Sequence, residues 1–313
     1  MNNQYLFLAS EIEEMEALLK TIPSENLIER MSLESRLASA KNMLTLLPNQ
    51  TVQKARLTFR GKPVIGSYGI TADFGAKAAS TFSDAFAAIA AALNEGLRDM
   101  GPIPDRGKNQ LLITGTAVGS FGFEFELPSP EPVLFPEANA PQTAMKKIES
   151  LFRLAAVGTD DEVAEVVEEV HPRAVRKIHE FLELLAQQQA WCALEFDDQV
   201  FRYADLSQLE KSCARLKADN IHESDAIYHG EFQGVLPAGR TFEFKSTDQG
   251  EVIRGKIDSA IEDPDELNRK WLHKPITVNL NIIRVGQGRP RYTLMSLNDV
   301  VQDQENRNVT DQD

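Results

Sequence analysis

The chain has 313 residues, with 47 acidic against 33 basic side chains and a net charge of −14. That length is enough for two or three domains with real cores. A chain this acidic is repelled by phosphate backbones and anionic membrane surfaces unless its cations cluster, so general nucleic-acid binding is disfavoured and no membrane partner is expected. No apolar run approaches the roughly 20 residues that cross a bilayer. The opening MNNQYLFLAS lacks a basic stretch ahead of its apolar patch, and two cysteines, Cys192 and Cys213, make no disulfide framework. A reducing cytoplasm is the expected location.

Leu8, Ile12, Met15, Leu19 and Ile22 recur at helical spacing, with Ser10 and Glu13 as a capping-box pair, before Pro23 breaks the run. Leu33, Leu37, Ala40, Leu44 and Leu47 resume the same spacing. Residues 1–50 are therefore expected to form a coiled-coil-like antiparallel helical hairpin. Its narrow stripes suit a partner helix, in this chain or in a second copy meeting it through residues 8–47.

Residues 51–127 read as a β-β-α-β-β domain. Ala55, Leu57 and Phe59 alternate with polar neighbours, an alanine-rich helix covers 71–94, and 111–127 gives two strands turning near Val118–Gly119. Five prolines between Pro128 and Pro141 mark a linker over 128–141. A mostly helical segment follows over 142–220, with helices near 142–157, 161–169, 172–189 and 206–219. A short hairpin, Cys192–Phe196 and Val200–Tyr203, interrupts it. Cys213 shares a helix face with Leu206, Leu209 and Leu216 and reads as a small core residue.

Residues 221–300 carry strand patterns near 228–236, 240–245, 251–257, 275–285 and 290–297, with a short helix near 263–271 between the third and fourth. That order predicts a small five-stranded β-barrel, OB-like or SH3-like, and makes the whole chain α+β. The polar tail 301–313 is expected to be disordered.

Signals for chemistry are weak. Gly115, Gly119 and Gly122 lack the Gly–Lys–Ser/Thr ending of a phosphate loop and lead into a strand, so tight packing is the expected role. Ser67 and Ser120 lack the nucleophile elbow. His222, Asp225 and His229, on a loop entering a strand, are the nearest approach to a metal set. Histidines that bind nothing are the commoner case, so no metal, cofactor or catalytic residue is assigned. The acidic run Asp160, Asp161, Glu162, Glu165, Glu168 and Glu169 reads as a solvated helix start favoured by the helix dipole. Meeting a basic partner or mimicking nucleic acid are the alternatives.

The barrel offers more. With the apolar alternation inward, Arg254, Lys256, Asn279, Asn281, Arg291 and Thr293 point outward and form the expected ligand-binding set, with Arg240, Lys274, Arg284 and Arg289 near strand ends. Phe232, Phe242, Phe244 and Tyr292 are expected to fill the barrel, leaving few exposed rings on which bases could stack.

The strings IPSENLIERMSLESR (22–36), LTFRGKPVIGSYGI (57–70) and LLITGTAVGSFGFEFELP (111–128) resemble a bacterial protein family of unknown function. The resemblance implies a bacterial cytoplasmic source and carries no functional residue. The leading expectation is a non-enzymatic binding or adaptor protein. It would oligomerise through the hairpin and hold a protein or a small anionic ligand on the barrel. A second is a nucleic-acid-binding protein using the barrel, as an accessory of a bacterial toxin–antitoxin or phage-defence system. A third is a metal-dependent hydrolase or nuclease using Glu124 and Glu126.

Overall fold

The computed structural model describes residues 3–23, 26–46, 53–94, 97–117, 121–128, 140–247 and 250–303. The expected turn at Val118–Gly119, Ser120 and most of the proline-rich linker lie outside them. So does the tail beyond residue 303. The fold is a mixed α+β one whose C-terminal region closes into a five-stranded barrel. By contacts the chain divides into two compact units, Met1–Glu149 with Gln188–Arg202, and Ser150–Gln187 with Tyr203–Asp313.

The first unit opens with α1 (Asn3–Thr21) and α2 (Leu27–Leu46), separated by a turn that the Asn26 N–H closes on the Pro23 carbonyl. Leu8, Met15 and Ala40 are buried, with Ile12, Leu33 and Leu37 packed against them. Ser10 sits in mid-helix instead of at its start, because α1 begins seven residues earlier, at Asn3. β1 (Lys54–Gly61) buries Ala55, Leu57 and Phe59 on one face and turns Lys54, Arg56 and Arg60 to solvent, the period-two pattern its sequence carries. After the small hairpin β2 (Val64–Ile65) and β3 (Gly69–Ile70), α3 (Ala72–Leu93) lays its buried face on the sheet. Phe74 meets Phe59 edge-on at 5.4 Å and Phe82 stacks on Phe125 at 5.5 Å.

β4 (Leu112–Thr116) and β5 (Gly122–Glu126) follow, and α4 (Ala140–Val157) begins in this unit. β6 (Ala190–Phe196) and β7 (Gln199–Arg202) complete a sheet of order β4-β5-β1-β6-β7. Gly122 acts as the sequence suggested. A Cβ there would lie 2.1 Å from the Leu57 carbonyl oxygen, so only glycine lets β5 come this close to β1.

The second unit holds the rest of α4, then α5 (Asp160–Glu168), α6 (Pro172–Gln187) and α7 (Leu206–Arg215). Phe152 stacks on Phe181 at 5.9 Å, and Tyr203 is fully buried beside Phe152. α7 stops at Arg215, short of the expected residue 219, and a single 3-10 turn over Ala218–Asn220 leads into the barrel.

The barrel strands are β8 (Ile221–Leu236), β9 (Thr241–Ser246), β10 (Val252–Ile257), β11 (Ile276–Val285) and β12 (Arg291–Leu294). α8 (Asp265–Trp271) stands between β10 and β11. The pairing runs β8-β9-β10-β12-β11 and back to β8, parallel between β10 and β12 and antiparallel elsewhere. β8 begins seven residues before the expected strand. Its first part pairs with β11 and its second with β9, and Gly230 belongs to both ladders. Phe232, Phe242 and Phe244 are buried, with Phe232 edge-to-face against each of the other two, so these rings fill the barrel. Val300–Gln302 form β13 on the edge of β11, so a strand reaches into the polar tail.

Closure depends on Gly255. Its added Cβ would lie 2.4 Å from the Phe242 ring and 2.6 Å from the Tyr292 carbonyl oxygen across the parallel seam. Gly255→Ala is expected to lower stability by about 2 kcal/mol through overpacking. Gly234→Ala, whose Cβ meets nothing within 4 Å, should be close to neutral. Urea midpoints of the two variants check this.

Candidate functional site: the cation-bearing cleft of the barrel

The barrel carries a cleft of about 700 Å³ whose lining includes the apolar groups of Val235, Leu236, Phe242, Pro290 and Tyr292. Arg254, Lys256, Arg289 and Arg291 also line it, with Asp161, Glu168 and Glu243 among them. That volume is in the range of small-ligand sites. Strand pleating explains the arrangement. On β10, Ile253 and Ile257 point into the core while Arg254 and Lys256 point out. The parallel seam sets Lys256 opposite Thr293, and the next ladder sets Thr293 opposite Asn281. Burial and the neighbouring Tyr228 push the Tyr292 phenol up to about 12.

One acidic group organises the cations. The Glu168 side chain is only 5% exposed. It meets Lys256 Nζ at 3.1 Å and Arg291 Nη1 at 3.4 Å, and it accepts from the Thr293 hydroxyl at 3.1 Å. Arg291 also meets Glu165 at 3.4 Å, and Lys256 meets Glu169 at 3.7 Å. At the other end of α5, Asp160 accepts the Gln287 N–H at 3.2 Å and Asp161 accepts the Arg289 N–H at 2.6 Å. Gly286 and Gly288 permit this approach, since a Cβ on either would lie within 3 Å of these carboxylates. Asp160 also pairs with Arg215, whose guanidinium donates to the Gly158 carbonyl at 2.6 Å. α5 is held at its start by a full capping box between Thr159 and Glu162. The acidic run is thus not simply a solvated helix start, because five of its six carboxylates engage groups of the same unit and the sixth caps its own helix. A scan of single segments cannot see this, since each partner lies 50 or more positions further along the sequence.

Of the six residues expected to bind ligand, Lys256, Arg291 and Thr293 converge on Glu168. Arg254 lines the same cleft, its side chain 79% exposed and paired with Glu243 at 2.9 Å. Asn281 instead donates to Glu223 and Asp225 at 3.2 Å each, and Asn279 sits further along β11, opposite Ile227. Neither lines the cleft. Arg289, Phe242 and Tyr292 do, and only Arg289 carried a usable signal, its place beside a glycine turn. Arg240 serves the fold. Its guanidinium donates to the Ile257 and Ile261 carbonyls at 3.1 and 2.8 Å, tying the β8–β9 turn to the end of β10.

The other candidates resolve differently. His222, Asp225 and His229 lie within strand β8 and not on a loop, and among the described residues no group of three potential metal ligands gathers. His229 faces Asp303 and the Thr277 hydroxyl. Lys54, and then Arg56, hold the Glu124 carboxyl below the usual carboxylate range in a cross-strand ion pair. Cys213 Sγ lies 3.5 Å from His179 Nε2, yet burial and then Glu183 and Glu210 raise its thiol, the opposite of an activated nucleophile. Burial likewise raises Cys192. No family model, curated protein or solved structure matches the chain.

Exposed ion pairs are worth at most about 1 kcal/mol, whereas removing one partner of a buried pair costs several. Glu168→Gln is therefore expected to cost about 2–3 kcal/mol, the low end because Lys256 and Arg291 keep contact with water. Part of that loss should vanish when Lys256→Met is already present, since Arg291 and Thr293 still hold the carboxylate. Denaturation of the four proteins of this double-mutant cycle measures the coupling.

Proposed function

We propose that this is a binding protein that holds an anionic ligand in the barrel cleft and assembles through its N-terminal helices. The observation that carries the reading is the cleft itself: four cations and several apolar side chains around a ligand-sized volume. The barrel reads as OB-like. Its strands follow the order 1-2-3-5-4-1, with strands three and five parallel and a helix between three and four. Ligands of such barrels bind on the face of strands two and three and the adjoining loops. Here that face is β9 and β10, with the turn before β12. The same correspondence favours a nucleic-acid ligand as the second reading, against which the net charge of −14 weighs.

Assembly is supported by the outer surface of α1 and α2. Phe7, Leu18, Leu27, Ile28, Met31 and Met43 are more than half exposed, Ile28 to 88%. Exposed apolar side chains that gather into one patch favour association. The reading takes these helices as a hairpin that pairs with a second copy of itself.

Two measurements test these proposals. Binding of inorganic triphosphate and of a labelled oligothymidylate at low salt should weaken at least ten-fold, about 1.4 kcal/mol, in the pair Arg254→Ala with Arg289→Ala. An unchanged affinity would remove the cleft from the account. Light scattering should report a dimer that Ile28→Glu with Met31→Glu converts to a folded monomer. A monomeric native chain would end the assembly reading.

A further inference from the structure

The contacts that hold α5 on the barrel are of an unusual kind. Asp160 and Asp161 take backbone N–H groups of the turn before β12, and Glu165, Glu168 and Glu169 take side chains of β10 and β12. The buried apolar residues of α5, Val163, Ala164 and Val167, share a stripe with Asp160, and Asp161, Glu165 and Glu168 form the neighbouring one. That neighbouring stripe meets the barrel through charge and hydrogen bonds, and such contacts can be exchanged for other anions. Asp161, Glu165 and Glu168 recur at helical spacing, which sets successive carboxylates ~5–6 Å apart along one line. A nucleic-acid strand presents a similar row of spaced anions, and the linked phosphates of inorganic polyphosphate present a denser one.

The row of cations also extends past the helix. Arg289 is exposed, and among the described residues its guanidinium has no acidic partner. Arg254 has only the exposed Glu243. Both line the cleft next to the pair that α5 occupies. Among the described residues neither guanidinium pairs with a carboxylate of α5.

We propose that α5 is a displaceable acidic latch over a phosphate-row site. A chain of phosphates engages Arg289 and Arg254 first, then takes Lys256 and Arg291 from Glu165 and Glu168 as the helix lifts. The inference rests on the anionic-ligand reading of the cleft and adds that the free protein is held in a low-affinity state. A ligand that must break the α5 contacts binds more weakly than it would to an open barrel, by the fraction of molecules in which the latch is open.

The test compares the full chain with Asp161→Asn/Glu165→Gln, which spares the buried Glu168. The single variant Glu165→Gln, at a side chain 57% exposed, is the fallback should the pair fold poorly. The probes are a labelled oligothymidylate and inorganic polyphosphate of matched charge, at low salt. The double variant should bind about five-fold tighter, the loss of two exposed polar contacts. In the unmodified chain, hydrogen exchange over residues 160–169 should speed up at saturating probe. Acceleration with both probes assigns the site to phosphate rows in general, and acceleration with the oligonucleotide alone assigns it to a single strand. Should α5 stay protected and the affinity stay unchanged while Arg254→Ala/Arg289→Ala still weakens binding, the latch is wrong and the cleft stands. Should neither probe bind any of the proteins, both fall.

Discussion

Glu168 is a carboxylate almost out of contact with water, and a charge in that position persists only if other groups replace the solvent it has lost. Lys256, Arg291 and Thr293 do so, from the two strands whose parallel pairing closes the barrel. Those strands are therefore cross-linked twice, once by their own ladder and once through the carboxylate that bridges them. α5, a helix of nine residues, is too short to persist alone in water. Its capping box and its barrel contacts keep it formed. Exposed ion pairs, such as Arg254 with Glu243 in the same cleft, contribute little by comparison.

The same interaction qualifies what the net charge means. A total of −14 argues against polyanion binding only if it is spread evenly. Around the cleft four cations gather, and the carboxylates that neutralise part of them sit largely on one short helix. Local potential, and how firmly that helix is held, decide what this surface attracts.

Much of the barrel was legible because its strands alternate strictly. Val278 and Leu280, and Phe242 and Phe244, are buried at every second position. The first half of β8 was not, since His222, Glu223, Ser224 and Asp225 give no apolar period, and only the ladder with β11 makes them a strand. On the cleft, strand parity placed Arg254, Lys256, Arg291 and Thr293 outward. It could not separate them from Asn279 and Asn281, which share that parity, although Asn281, opposite Thr293, gives its amide to Glu223 and Asp225 of β8. The acidic helix carries no sign of its partners, because they arrive later in the chain. His222, Asp225 and His229 are close in sequence, but residues at odd and even places of one strand face opposite ways.

The N-terminal sheet shares this non-locality in a stronger form. β1 lies between β5 and β6, and Ala55, Leu57 and Phe59 each face a β6 residue more than 130 positions later. On the ribosome, at roughly 5–20 residues per second, one edge of β1 therefore waits on the order of ten seconds for its neighbour to be made. An unpaired edge in the middle of a forming sheet invites pairing with the wrong strand, from this nascent chain or another. Newly synthesised molecules thus pass through an interval in which chaperone access to that edge matters more than the final stability of the fold.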